Sequence, residues 1–446
     1  METIQQRDWP PWNRNIFLGH PVVGDPIYQL AYPVLTGLGL IFGTARGFAL
    51  GLWLQLLLAA GLTYGWLRAV GCRKTASLSG ALVYVLSGYM VTWFETNFWI
   101  STLSLLPGIL WTYELAIQRR SLIYTALAAL LMGLAILGGQ FVFMIVFSFF
   151  LALYALGRTV EAYRREDKNF LWPLLAVILM ALPVALVSAI LLLPSIEFLG
   201  LSRRTVDAGL NDPLPLNQLV TLVIPNFFGN PASIGPYWGS GNYSGNTIYV
   251  GLVALILALL APLTHRRFST WYIAILTGAL IYFVLGGPGV SLLGQLPGIR
   301  YASLHRSNFL LPLLIALLTG LTLSQPKISV RYGFGVVAGL MVLTTAAVGM
   351  NREAVALHWD VLRPEFFKAA GLVIVTLVLL WLGQRGTKSR WAMTVGIPVL
   401  IFLDLFIIGS SYNPSGPIEV FNAGYAGNLI FTGEHRTLPR GRAPAA

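Results

Sequence analysis

The chain has 446 residues, of which 56% are hydrophobic and only 10% charged, with a mean hydropathy of +0.72 and a formal net charge of +12. A water-soluble domain carries about a quarter charged residues, so that class is excluded. Nucleic-acid binding is excluded as well: the positive excess lies in short gaps between apolar blocks, where membrane topology and anionic lipid account for it.

The first 46 residues carry Arg7, Arg14 and Arg46 and three stiffened pieces: Asp8-Trp9-Pro10-Pro11-Trp12-Asn13, Gly19-His20-Pro21 and Gly24-Asp25-Pro26. No cleavable signal peptide precedes the first span. Residues 1–46 read as a partial exterior loop, with Tyr28–Thr44 as an interfacial or re-entrant segment. The alternatives are a thirteenth span at Tyr28–Thr44, or a first transmembrane helix missing from this sequence.

Twelve blocks follow, of about the length that crosses 30 Å of hydrocarbon as a helix. They run Gly47–Leu67, Thr75–Phe94, Phe98–Ala116, Leu122–Leu137, Gln140–Leu156, Trp172–Leu193, Thr247–Leu263, Phe268–Leu285, Phe309–Ser324, Gly333–Met350, Ala369–Leu382 and Trp391–Ser411. Several are short, which predicts tilt or local thinning. Ser121–Gly157 has no charge and is too long for one crossing, so Gly138-Gly139-Gln140 reads as a tight turn between two helices.

Basic residues fall at every second gap. Arg68, Arg73 and Lys74 come first, then Arg119 and Arg120, then Arg158, Arg164, Arg165 and Lys168. Arg266 and Arg267, Lys327 and Arg331, and Arg385, Lys388 and Arg390 complete the series. By the positive-inside rule these gaps face the cytoplasm and both termini lie outside. The fold expected is an all-α polytopic membrane protein of about 12 transmembrane helices with exterior re-entrant or interfacial loops, in residues 47–411. Its exterior parts are the N-terminal loop, Ser195–Asn246, Gly286–Asn308, Asn351–Lys368 and the tail 412–446.

The residues able to do chemistry then gather on the exterior face. Asp8 and Asp25 can take a proton from an acceptor hydroxyl or hold a divalent metal, and Trp12 and Asn13 can face a sugar. Interfacial Trp anchors and a turn-capping Asp explain the same residues equally simply. Glu95, with Asn97 in the turn between the second and third spans, reads as a site acid or as a merely solvated one. Arg203 and Arg204 beside Glu197, and His305 and Arg306 beside Arg300, run against the topological trend; Arg binds phosphate bidentately, and ordinary headgroups or acidic neighbours are the other explanation. Asp404 inside the last span needs a partner or a proton. The single cysteine, Cys72, rules out an internal disulfide, and there is no zinc spacing, HExxH, Walker loop or GxGxxG. Asn242-Tyr243-Ser244 fits a glycosylation sequon, a pattern common by chance.

In order, several short pieces resemble the YfhO family of bacterial membrane proteins, within the GT-C glycosyltransferase superfamily. They are Pro11-Trp12-Asn13 with Gly19-His20-Pro21; Leu86-Ser87-Gly88-Tyr89; Gly138-Gly139-Gln140; Leu193-Pro194-Ser195-Ile196-Glu197 leading to Ser202-Arg203; Ile224-Pro225-Asn226 with Phe228-Gly229; Tyr249-Val250-Gly251; Leu296-Pro297-Gly298 with Arg306; and Asp404-Leu405 with Tyr412-Asn413-Pro414. The resemblance implies a GT-C-like enzyme of the bacterial cytoplasmic membrane. It would move a sugar from a polyprenyl-phosphate carrier to an extracytoplasmic cell-envelope polymer, with a carboxylate helped in many relatives by Mg or Mn. The key aspartate of such proteins lies in the first exterior loop after a first helix, and here it would fall upstream of Met1. Asp8 and Asp25 are the acids that remain, so a truncated or non-catalytic relative stands beside the enzyme. A transporter or lipid flippase is the other alternative. The enzyme reading expects Asp8 or Asp25, Glu95 and Arg306 to face one exterior cavity.

Overall fold

The structure is a computed structural model, which describes residues 12–13, 19–201, 212–232, 236–293, 295–296, 299, 303–410 and 412–413. It is 77% helical. Among the described residues nine helical stretches are long and apolar enough to cross a membrane, with four shorter apolar helices beside them. The chain is an all-α polytopic membrane protein.

Helix α1 (Pro33–Phe42) and α2 (Thr44–Val70) are separated by Gly43 alone. Gly43 has φ +79°, a left-handed conformation open to glycine. The chain doubles back there. A Cβ on Gly47 would lie 2.6 Å from the Gly39 backbone, and one on Gly51 would lie 2.4 Å from Leu35 Cδ2. The two helices pack as a close hairpin.

The next two paths are each broken once. One comprises α3 (Lys74–Val85) and α4 (Gly88–Thr92), the other α5 (Asn97–Leu103) and α6 (Leu106–Arg119). Then come α7 (Leu122–Leu137), α8 (Phe141–Arg164), α9 (Trp172–Leu201), α10 (Leu252–Thr264) and α11 (Phe268–Val284). The chain closes with α12 (Leu311–Leu323), α13 (Val330–Met350), α14 (Trp359–Arg385) and α15 (Thr387–Gly409). Each of the twelve expected segments falls on one of these paths. The tight turn between α7 and α8 is built as expected, with Gly139 at φ +103°.

Four boundaries differ most from expectation. Helix α8 runs on to Arg164 instead of ending at Leu156. Helix α9 continues through Pro194 to Leu201 instead of ending at Leu193; neighbouring helices re-satisfy the backbone group that a proline frees in such a helix. Residues 247–251 form no helix, although Thr247 was expected to open that span. The expected loop Asn351–Lys368 is largely helical: a short helix spans Arg352–Leu357 and α14 begins at Trp359.

Helix α12 is buried on nearly every side and forms the centre of the bundle. With no hydrophobic drive between helices in lipid, polar and small residues hold them together. Thr319 and Thr322 donate to the carbonyls of Ala254 and Leu257 on α10 at 3.1 and 2.8 Å. Gly80 of α3 lets the backbones approach, since a Cβ there would lie 2.8 Å from the Ala316 carbonyl oxygen. Leucines and isoleucines such as Leu57, Ile178, Leu182 and Leu186 point outward and are exposed, as lipid-facing residues are.

The connections between helices sort into two ends. The arginine-bearing gaps lie together: Arg120 pairs with Asp167 at 2.5 Å, the Arg73 N–H donates to Ser324 Oγ at 3.0 Å, and Arg266 donates to the Tyr332 hydroxyl at 3.1 Å. This is the basic end. The loop end gathers the remaining segments: Trp93 donates to the Ser244 carbonyl, the Ser244 hydroxyl meets that of Tyr412, and Asn97 donates to Gln29.

Candidate functional site at the loop end

The N-terminal pieces pair with each other. Trp12–Asn13 and His20–Pro21 form a two-residue antiparallel ladder, with Trp12 opposite Pro21 and Asn13 opposite His20. Trp12 is exposed. His20 Nε2 sits 2.7 Å from Asp25 Oδ2, and the other Asp25 oxygen accepts the Ile27 N–H at 3.0 Å, capping the turn Pro26–Tyr28. His20 packs edge-on against Phe198 of α9 at 5.4 Å. Asp25 is thus engaged in holding this segment over the bundle.

Glu95 stands exposed on the turn Trp93–Asn97. It borders a groove of about 680 Å³ whose apolar wall includes Leu30, Leu35 and Phe48 and whose polar rim includes Tyr28, Gln29 and Asn97. Gln29 fixes that rim: its amide donates to the Gly138 carbonyl at 2.5 Å and accepts from the Asn97 amide at 2.8 Å. The Gly-Gly-Gln turn therefore has a tertiary partner in Gln29, a residue with no local signal in the sequence. Neither Asp25 nor Arg306 lines this groove.

The same turn carries two stacked tryptophans. Trp93 and Trp99 lie 3.6 Å apart and 5° from parallel. Trp99 meets Phe143 edge-on at 4.6 Å, and Phe143 stacks on Phe309 at 4.7 Å. The Arg306 guanidinium is 5.7 Å from the Trp99 centroid, and its buried Nε has no hydrogen-bond partner. Its neighbour His305 is engaged: Nδ1 lies 3.0 Å from Asp212 Oδ2 and 3.1 Å from Ser303 Oγ. Arg306 thus rests on Trp99 of α5 and does not share the Glu95 groove, and His305 is held by Asp212 and Ser303. Asp8, Arg203 and Arg204 lie outside the described residues.

The scattered pieces of the resemblance converge beside this turn. The Gly88 N–H donates to the Tyr249 carbonyl at 2.8 Å. A Cβ on Gly88 would come within 2.6 Å of Thr247 Cγ2, so only glycine permits this contact. The Tyr249 hydroxyl donates to Asp404, whose other oxygen accepts the Val253 N–H at 3.3 Å. Asn226 donates to Glu365 at 3.2 Å, and Asn413 donates to the Val91 carbonyl at 2.8 Å. Between them lies a narrow cavity of about 30 Å³, lined in part by Gln218, Tyr237, Tyr243, Asn246 and Tyr412. Tyr243 stacks on Tyr412 at 5.8 Å and meets Tyr237 edge-on at 5.3 Å.

Burial pushes the Tyr243 and Tyr237 hydroxyls above the ordinary tyrosine pKa; burial does the same to Tyr412, and the nearby charge of Glu95 adds to it. The cavity wall thus offers neutral hydroxyls, amides and ring faces. The sequon is part of this wall: Asn242 Oδ1 accepts the Gly245 N–H at 3.0 Å, and the Ser244 hydroxyl is 3.0 Å from that of Tyr412.

Sequence reasoning missed Glu365 and Lys368. Glu365 is 4% exposed, yet it sat in an apparently charged loop. Lys368 lies 2.6 Å from it at i+3, and that spacing on a helix was the available signal. Among the described residues no three His, Cys, Asp or Glu side chains converge as metal ligands. Asp25 and Glu95 do not form such a donor set.

A family model described as bacterial membrane protein YfhO matches residues 44–415. No curated protein and no solved structure matches the chain. The match covers α2 to α15 and the loop-end segments between them, and the chain belongs to the YfhO family of bacterial membrane proteins.

Proposed function

We propose that this chain is a membrane glycosyltransferase of the GT-C type, moving a sugar from a polyprenyl-phosphate carrier to an extracytoplasmic cell-envelope acceptor. The observation that supports the reading is the largely apolar groove of about 680 Å³ bordered by Glu95 and rimmed by Tyr28, Gln29 and Asn97; the neutral tyrosine and amide cavity is lined by Thr92, a few residues earlier in the chain, and by Tyr412. A polyprenyl chain suits the apolar wall. Sugar hydroxyls suit the Gln29 and Asn97 amides on the groove's rim, and sugar rings suit aromatic faces; the cavity of about 30 Å³ admits only water-sized groups.

In this reading the acceptor hydroxyl attacks the anomeric carbon and the bond from that carbon to the carrier phosphate oxygen breaks. The polyprenyl phosphate leaves, and the acceptor proton passes to the Glu95 carboxylate. Arg306, on the Trp99 ring and outside the groove, would offer the carrier phosphate a planar fork. In the same reading Trp12 and Asn13 would bind the acceptor, Arg203 and Arg204 the carrier phosphate, and Asp8 or Asp25 would act on the acceptor side. The basic end faces the cytoplasm of a bacterial cell and the loop end faces outward, by the distribution of Lys and Arg.

A transporter would draw on Asp404 as its coupling group. Both Asp404 oxygens already accept hydrogen bonds, from Tyr249 and Val253, which favours a holding role.

The test is incubation of membranes containing the chain with labelled polyprenyl-phosphate sugars. Label should pass to an envelope polymer, and Glu95→Gln should slow transfer by about 10²–10⁴-fold, the usual contribution of a positioned base. Transfer by Glu95→Gln at the unaltered rate would remove Glu95 from the reaction. No transfer by the unaltered chain would remove the reaction itself.

A further inference from the structure

Helices α14 and α15 press together near the basic end. A Cβ on Gly383 would collide with Met393 Sδ, and one on Gly396 would lie 2.9 Å from Leu379 Cδ2. Toward the loop end a slot of about 270 Å³ stands between the same two helices. Ala369 and Leu372 of α14 line it, with Leu400, Leu403 and Ile407 of α15. It is continuous with the lipid-facing surface: Leu403 and Ile407 are exposed, as are Phe367 and Phe402 on the same two helices.

The direction and depth of the slot fit a lipid chain. Leu400 and Ile408, both in its wall, are about 12 Å apart along α15, so the slot runs with the helices. Lys368, which also borders it, stands about 25 Å along α14 from Arg385 at the basic end. Against a hydrocarbon layer of about 30 Å, that puts Lys368 near the water boundary on the loop-end side.

The acidic groups of the wall are already engaged. Both Asp404 oxygens accept, from the Tyr249 hydroxyl and the Val253 N–H. Both Glu365 oxygens accept, from Asn226 at 3.2 Å and from Lys368 at 2.6 Å. The slot therefore offers a ligand hydrocarbon along its length and one exposed ammonium at its mouth. An ammonium has three N–H donors, and Glu365 takes one of them. An apolar cavity stays dry, and the apolar material beside this one is lipid.

We propose that this slot seats one acyl chain of a phospholipid from the leaflet on the loop-end side, with the lipid phosphate accepting from Lys368. Continuity with the lipid-facing surface, the run of the slot along the helices and the cation at headgroup depth together select this occupant.

The experiment uses the purified full chain in detergent with phosphatidylglycerol added. Lipid that survives release from detergent is counted by native mass spectrometry. In a second arm the phosphatidylglycerol carries a diazirine in its acyl chain, and the adducts are mapped along the protein. Ala369→Phe fills the slot, while Ala370→Phe adds the same ring at an exposed neighbour outside it. Lys368→Gln removes the ammonium and keeps a neutral donor beside Glu365. The unaltered chain and Ala370→Phe should retain one lipid. Ala369→Phe should weaken retention by about ten-fold or more, as loss of a buried apolar chain does, and Lys368→Gln by about ten-fold, as loss of a charged hydrogen bond does. The adducts keep the test decisive if Ala369→Phe does not fold: in the unaltered chain they should fall within 369–372 and 400–408. The proposal fails if the unaltered chain retains no lipid, if its adducts fall only elsewhere, or if Ala369→Phe retains lipid as Ala370→Phe does. Retention by Lys368→Gln equal to that of the unaltered chain would overturn the headgroup contact. A lipid-free dimer that Ala369→Phe disrupts would give the slot to a second copy of the chain and overturn the proposal.

Discussion

Arg306 is tied to Trp99 from two directions. Its guanidinium lies 5.7 Å from the Trp99 ring centre, and its carbonyl accepts from Tyr89, whose ring is 5.9 Å from the same tryptophan. The cation is therefore placed by the backbone and by an aromatic face, without a carboxylate partner among the described residues. In the proposed transfer reaction its partner would be the carrier phosphate. Arg306→Ala should lower transfer roughly 10–100-fold, the equivalent of one lost charged hydrogen bond of about 1.5–3 kcal/mol. Arg306→Lys should recover only part, because a point charge cannot replace a planar fork. Initial rates over a range of donor concentration check this; equal rates for Arg306→Ala and the unaltered chain would contradict it.

Gly88 tests whether the convergence of distant segments is structural. A methyl group there meets Thr247 Cγ2 at 2.6 Å and the Tyr249 carbonyl at 3.2 Å. Gly88→Ala should cost about 1–3 kcal/mol, as overpacking does. Adding Thr247→Ala removes the closer clash and should restore part of the loss. Thermal unfolding in detergent measures both. An unchanged midpoint for Gly88→Ala would mean the two segments are not pressed together.

Asp404 and Tyr249 make a second internal check. Asp404 is 3% exposed and accepts from the Tyr249 hydroxyl. Asp404→Leu leaves that hydroxyl buried without its acceptor and should cost about 1–3 kcal/mol. Pairing it with Tyr249→Phe should cost less than the sum of the two single changes. Additive losses in the unfolding midpoints would show that the two groups act separately.

The loop-end tyrosines give a pH prediction. Burial raises Tyr237, Tyr243 and Tyr412 above the ordinary tyrosine value of about 10. A group raised in the folded state contributes stability fully below its unfolded pKa and loses it as pH rises through the folded one. The transfer rate should therefore show no alkaline limb from these residues below pH about 10, and phenolate absorbance should appear later than in the unfolded chain. Phenolate appearing at the unfolded position for all three would contradict this.

Much of the fold was legible because lipid imposes simple rules. Apolar block length marked each helix, and alternating arginines marked the end at which the basic gaps lie together. Gly138-Gly139-Gln140 marked a turn by chemistry alone. Glu365 escaped because Arg352, Glu353, Asp360, Arg363 and Lys368 surround it in sequence and suggest a solvated loop. Its burial depends on Asn226, far away in the chain. Pro194 suggested a helix end that packing overrides. The short motifs carried the family but gave no hint that Gly88, Tyr249 and Asp404 touch, since contact between distant segments leaves no local periodicity. Glu95 was legible as a lone acid between apolar helices, but its groove is formed by Gln29 and Asn97, which no pattern connected.

Cys72 simplifies the decisive measurement. Burial pushes its thiol up to about 11, and it is fully buried. Because the thiolate is the reactive form, the native chain should resist a maleimide until it is denatured. Rapid labelling of the folded chain would contradict that burial.

The proposed reaction needs Glu95 and the basic gaps on opposite sides of the membrane. The most direct measurement is labelling of Glu95→Cys and Lys168→Cys, each in a Cys72→Ser background, with a membrane-impermeant maleimide on intact cells. The account predicts that Glu95→Cys labels at once and Lys168→Cys only after permeabilisation; labelling of Lys168→Cys from outside, with Glu95→Cys protected, would contradict it.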